Sequence, residues 1–202
     1  MQVRELSVPG ALEMTPVQHD DDRGVFLEWF REDAFERATG RSFPLAQANC
    51  SVSRAGTVRG IHFAELPPSQ AKVVTCVDGA VLDVVVDLRV GSPTFGAWDS
   101  VHLDDRDRRA VYLPEGLGHA VMTLSERSVV TYLCSALYTP EREHTIHPLD
   151  PAIGIDWPAT GSDGRAMAPL LSPRDDAAPT LAEVQQRGLL PDFDDAIAFA
   201  HR

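Results

Sequence analysis

Val81-Leu82-Asp83-Val84-Val85-Val86-Asp87-Leu88-Arg89 is the stretch whose alternation decides the fold. In an extended chain Leu82, Val84, Val86 and Leu88 fall on one face, while Val81, Asp83, Val85, Asp87 and Arg89 share the other. Both faces are apolar enough for a strand inside a sandwich, with the charged groups turned toward a cavity or a turn. Similar short apolar runs, bounded by Gly, Pro, Asp or Ser, recur at 2–7, 13–18, 24–30, 45–53, 57–63, 70–77, 97–103, 109–113, 118–123 and 127–136. All read as strands. Residues 31–39 are helix formers that stop at Gly40, and 181–187 follow a Thr180/Glu183 capping box and end at Gly188. Between about 139 and 179 the text is rich in Pro, Asp and Gly and reads as wrapping loops. Many short strands with helices only near the ends predict an all-β, two-sheet jelly roll, one domain over 1–202. A parallel α/β fold would need helices alternating with the strands.

The 202 residues suffice to bury a core without staples. A net charge of −12 repels a nucleic-acid backbone, and no basic stripe overcomes it. No apolar run is long enough for a bilayer, and Met1 to Gly10 lacks a signal pattern, so a cytoplasmic location without membrane contact is expected. Cys50, Cys76 and Cys134 are widely spaced in apolar runs and read as buried free thiols.

Several residues stand out against this background. In Arg59-Gly60-Ile61-His62-Phe63, period-two alternation puts Val58, Gly60 and His62 on one face; a lone histidine there is a hydrogen-bonded core residue or a catalyst. Lys72 interrupts a second apolar run and points to water or, if inward, marks a site. His119 follows the glycines of Gly116-Leu117-Gly118, either on a surface loop or at the mouth of a barrel. Tyr132 lies in an apolar run that equally suits a core residue, and Arg174-Asp175 lies in a loop where a solvated ion pair is the plain reading. The H-x-H pattern of metal-binding jelly rolls is missing, because His62 is followed two positions on by Ala64, and His144 and His147 fall in a loop. No metal is expected.

Taken in order, these blocks resemble the dTDP-4-dehydrorhamnose 3,5-epimerase family, cupin-like epimerases of deoxysugar biosynthesis. The matching text is Asp22-Arg23-Gly24 with Glu28, Gln47-Ala48-Asn49, Arg59-Gly60-Ile61-His62, Gln70-Ala71-Lys72, Asp83 to Trp98, Leu113 to Ala120, Tyr132, Tyr138, Glu143 and Leu171 to Asp175. The resemblance implies that His62 is the base, Asp175 its partner, Lys72 the cation facing the keto oxygen and Tyr132 the acid on the opposite sugar face. It implies stacking of Tyr138 on thymine, and nucleotide or sugar contacts from Arg23, Glu28, Gln47, Asn49, Arg59, His119, Glu143 and Arg174. It also implies a homodimer that exchanges N-terminal strands, so that Arg23 and Glu28 serve the partner's pocket. Arg174 stands where Lys is frequent, Phe63-Ala64 where Tyr-Gln is common, and Val121-Met122 where an aromatic is usual. These departures resemble the antibiotic deoxysugar branch and leave inversion at C3, C5 or both as alternatives.

The chemistry suits these residue types. The protons at C3 and C5 are acidic because both carbons flank the C4 ketone, and removing either builds an enolate. Histidine, with a reference pKa of ~6.5, is matched to a base role near neutrality. A lysine stabilises the developing oxyanion, and arginine forks bind the diphosphate. No cofactor is required. Two other readings remain: a sugar-nucleotide 3,4-ketoisomerase, which has no need of Tyr132 across from His62, and a non-catalytic nucleotide-sugar binder, which has no need of His62, Lys72 and Tyr132 together.

Overall fold

In a computed structural model, which describes residues 1–67 and 69–200, the chain folds as two antiparallel sheets packed face to face. The first half runs β1 (Gln2–Glu5), β2 (Leu12–Thr15), β3 (Gln18–Asp21), β4 (Gly24–Leu27), α1 (Glu32–Thr39), β5 (Gln47–Arg54), β6 (Val58–Ala64) and β7 (Lys72–Asp78). There follow β8 (Ala80–Asp87), β9 (Trp98–Asp104), β10 (Ala110–Leu113), β11 (Leu117–Thr123), β12 (Arg127–Cys134) and β13 (Glu143–Thr145). Three short helices close the chain: α2 (Pro173–Asp176), α3 (Leu181–Gln186) and α4 (Phe193–Ala200). One sheet has six strands in the order β1-β2-β10-β7-β12-β5; the other has five, β13-β6-β11-β8-β9. Among the described residues the β3–β4 hairpin pairs only with itself. This is the jelly roll that the alternating runs predicted.

The alternation of β8 sorts the core. Val81 and Val85 meet Val74, Cys76, Val111 and Val130 of the six-stranded sheet between the layers. Val84, Val86 and Leu88 face outward and join Ile61, Phe63 and Ile146 under a cover that includes Leu181 and Val184 of α3. The outer face of the other sheet is covered near β2 and β10 by an aromatic cluster, where Phe35 of α1 packs edge-on to Phe43 and Tyr112. The charged groups of β8 go where the pattern placed them. Asp83 faces the inter-sheet space, and Asp87 anchors the turn after β8 by accepting from Arg89, Ser92 and Thr94.

Several expectations need correction. Val58 and His62 do not share a face: Val58 packs in an outer cluster with Met122, while His62 lies opposite His119 on the inner side. A bulge in the β6–β11 pairing between His119 and Val121 shifts the parity, so Arg59 and His62, three apart, both face inward. Gly60 permits this: its φ is +126°, and a Cβ there would meet the His119 carbonyl oxygen at 2.5 Å. Cys50 is exposed, not buried, because β5 is an edge strand whose even-numbered residues point out of the sandwich. Segment 139–179 is not wholly irregular, since it contributes edge strand β13 and helix α2, on which Asp175 is buried and not solvated. Finally, 13–18 is split into β2 and β3, and α4, capped by Asp192 accepting from the Asp194 and Asp195 amides, has no counterpart among the expected helices.

Candidate active site

The inner core ends where Tyr132 and Val121 pack against its edge, and polar side chains take over from there. From the six-stranded sheet come Lys72 on β7, Tyr132 on β12, and Gln47 and Asn49 on β5, all in one inward register: Tyr132 lies opposite both Val74 and Asn49, and Cys134 opposite both Lys72 and Gln47. From the five-stranded sheet come Arg59 and His62 on β6, His119 on β11, Asp83 on β8 and Glu143 on β13. The two walls face one space. Lys72 and His119 border the same small void with Phe63 and Gln70, and the Arg59 guanidinium donates across to Ser53 of β5 at 3.0 Å.

Two histidine–carboxylate pairs lie side by side on neighbouring strands, since His62 and His119 are register partners. His62 Nε2–H donates to Asp175 Oδ1 at 2.8 Å. Ser172, the N-cap of α2, donates its hydroxyl to Asp175 Oδ2 at 2.9 Å while accepting from the Asp175 amide. Burial pushes the Asp175 carboxyl up, but the bonds from His62 and Ser172 and the charges of His62 and Arg174 outweigh it and hold the group below the usual carboxylate range. An ionised Asp175 accepts from Nε2, which leaves Nδ1 of His62 as the nitrogen with a lone pair. The second pair joins His119 Nε2 to Asp83 Oδ2 at 2.8 Å, and Asp83 is fully buried with its other oxygen unpartnered.

Tyr132 is shifted upward, chiefly by burial, with Cys134 and Glu143 adding to the shift and the Arg59 charge opposing it. Its phenol therefore keeps its proton across neutral pH. Tyr138 follows β12 with half its surface exposed, and its backbone N–H donates to Gln47 Oε1. Arg174 reaches the Glu143 carbonyl at 3.3 Å.

Of the sequence-predicted residues, Arg23 and Glu28 are not drawn into this site. Arg23, at 89% side-chain exposure, pairs with Asp21 on its own hairpin, and Glu28 pairs with Arg31. Asp83 and Ser172 were not singled out, although each left a signal. Asp83 is a carboxylate in an apolar strand, and Ser172 stands three residues before Asp175 as an N-cap serine does. Among the described residues no three His, Cys, Asp or Glu side chains gather as a metal site.

A family model described as dTDP-4-dehydrorhamnose 3,5-epimerase matches residues 5–183. The chain belongs to that family. It is 56% identical over 199 residues to a dTDP-4-dehydrorhamnose 3,5-epimerase of Mycolicibacterium smegmatis, covering 98% of this chain and 95% of the relative. Its fold superposes on an epimerase of Mycobacterium tuberculosis with a TM-score of 0.95 at 55% identity, covering 100% of this chain and 98% of that one. A 3′-monoepimerase of Streptomyces bikiniensis, solved with dTDP-quinovose, matches with a TM-score of 0.90 at 49% identity over 97% of this chain and 96% of that one. The chain is thus similar both to double epimerases and to a single-carbon one.

Proposed function

We propose that this epimerase inverts C3, C5 or both of a dTDP-4-keto-6-deoxyhexose through an enolate. The observation that carries the mechanism is that His62 and Tyr132 stand on opposite sheets of one sandwich, with Tyr132 in the field of Arg59 and Glu143 from the sheet that carries His62. Inversion needs a base on one face of the sugar and an acid on the other. Nδ1 of His62 takes the proton from a carbon next to the ketone, and the C–H electron pair moves into the enolate with negative charge on O4. Asp175 steadies the imidazolium through Nε2–H. Lys72 faces O4; a charge placed there in a site that excludes water is worth ~3–4 kcal/mol of transition-state stabilisation. Tyr132 gives its phenolic proton to the same carbon from the other side, the enolate electrons collapse back to the ketone, and solvent resets both residues. The diphosphate falls to Arg59 and His119, the thymine to Tyr138, with Gln47, Asn49, Glu143 and Arg174 along the rim.

Arg23 and Glu28 serve a partner subunit in this reading. The hairpin that precedes Glu28 exposes Val25 and, at 68%, Phe26, on alternate faces of one strand. A β4 strand that exposes an apolar side chain on each face needs a second surface, which fits a homodimer exchanging these strands. The reaction calls for no metal and no cofactor, and a cytoplasmic location suits a nucleotide-sugar substrate.

The test is proton NMR in D₂O with dTDP-4-keto-6-deoxyglucose. Deuterium entering C3, C5 or both, with the matching epimer accumulating, is the expected result and fixes which carbons invert. Migration of the keto group to C3 would instead establish the ketoisomerase.

A further inference from the structure

The wall contributed by the six-stranded sheet holds a directed run of hydrogen bonds that the reaction itself does not use. The Tyr138 backbone N–H donates to Gln47 Oε1 at 3.0 Å, Gln47 Nε2 donates to Asn49 Oδ1 at 2.9 Å, and Asn49 Nδ2 donates to Cys134 Sγ at 3.6 Å. A carboxamide donates from one end and accepts at the other, so fixing one end fixes both. A backbone N–H only donates, which turns the Gln47 oxygen toward Tyr138 and its nitrogen toward Asn49. The Asn49 nitrogen is then left facing Cys134. That thiol stays neutral, because burial pushes it up against the opposing charge of Lys72, and its sulfur is a weak acceptor for the Asn49 amide. At 1% exposure Cys134 is too buried to touch a ligand itself.

We propose that Cys134 is a positioning residue for nucleotide binding. Its sulfur terminates the chain that holds Asn49, Gln47 and the backbone at Tyr138 in the orientation they present to the dTDP moiety. The proposal rests on the reading of Gln47, Asn49 and Tyr138 as nucleotide contacts. Cys134 is also the register partner of Lys72 on the neighbouring strand.

A thiol that merely fills space and a thiol that accepts a hydrogen bond make opposite demands on a substitute. Cys134→Val keeps an apolar side chain and removes the acceptor. Cys134→Ser keeps an acceptor and adds polarity to the core. The experiment is calorimetric titration of the purified full chain with dTDP, together with KM and kcat for dTDP-4-keto-6-deoxyglucose and a melting curve for each variant. Cys134→Val is expected to raise the Kd for dTDP about threefold to tenfold, the loss of one net hydrogen bond, with KM rising more than kcat falls. Cys134→Ser is expected to hold the Kd near that of the parent chain. Unchanged affinity in Cys134→Val, or equal losses in both variants, overturns the proposal. Should either variant fail to fold, a double-mutant cycle of Cys134→Ala with Asn49→Ala decides: non-additive losses in dTDP affinity support the chain, additive ones overturn it. Tyr138→Ala tests the underlying reading separately. If it leaves dTDP affinity untouched, the nucleotide assignment fails whatever Cys134 does.

Discussion

An imidazole accepts a proton only at a nitrogen that carries none, so the partner of the other nitrogen decides what His62 can do. Asp175 is that partner, and Ser172 holds the carboxylate from behind. Because the carboxyl is held below its ordinary value, its contribution to stability is complete above the unfolded-state pKa and disappears as pH falls through the folded-state value. Melting temperature should therefore decline as pH drops below about 4, and less steeply in Asp175→Asn; parallel declines would show that the pairing adds nothing to the fold. Tyr138→Ala should weaken substrate binding more than it slows proton abstraction, at a cost on the order of 1–3 kcal/mol by analogy with base–aromatic stacking. Equilibrium binding of dTDP checks this, and an unchanged affinity would make Tyr138 a packing residue. At this scale the sequence was legible for residues whose type is unusual in an apolar strand, such as His62 and Lys72. It was less so where a role depends on a distant partner. Nothing in Asp83 alone points to His119, 36 residues on, and nothing in the local text of Asp175 places it against a strand 113 residues earlier.

Elements turn residue type into direction, and β6 is where direction was misread. Strict alternation pairs Val58 with His62, but the bulge opposite His119 reverses the parity and brings Arg59 inward beside His62. Only a glycine tolerates the geometry at position 60, so Gly60→Ala should cost on the order of 1–3 kcal/mol in backbone strain alone, and more from the clash with β11. Chemical denaturation measures it, and a variant as stable as the parent would contradict the close approach of the two strands. The turn after β8 makes a second demand. Asp87 and Arg89 are almost wholly buried and satisfy each other. Asp87→Asn strands the guanidinium and should cost roughly 3–5 kcal/mol, with a matching fall in melting temperature. Strands such as β8 could be read from alternation because both faces obey one period. The strand β13 and helix α2 are too short to show a period, and each owes its form to what it packs against: β13 to the free edge of β6, and α2 to the buried Asp175.

At the scale of the whole molecule, the sandwich converts a chemical requirement into architecture. Inversion demands two proton-handling groups on opposite sides of one carbon, and two facing sheets supply two sides. The exposed β3–β4 hairpin suggests that this unit is completed by a second copy: sedimentation at micromolar concentration should give a dimer mass, and full activity from a monomer would count against the exchanged hairpin. Activity should also survive EDTA; a loss restored by a divalent ion would require a metal. The division of labour between the sheets is tested most directly by separating exchange from inversion in D₂O. A group that returns its own proton restores the starting configuration, so deuterium uptake and epimerisation are distinct signals. Tyr132→Phe keeps the base and removes the opposite donor: deuterium should still enter the substrate while net epimerisation falls by roughly 10²–10⁴-fold. His62→Asn should abolish both signals. Near-normal epimerisation by Tyr132→Phe, or continued deuterium uptake at C3 or C5 by His62→Asn, would contradict the assignment of base and acid to opposing sheets.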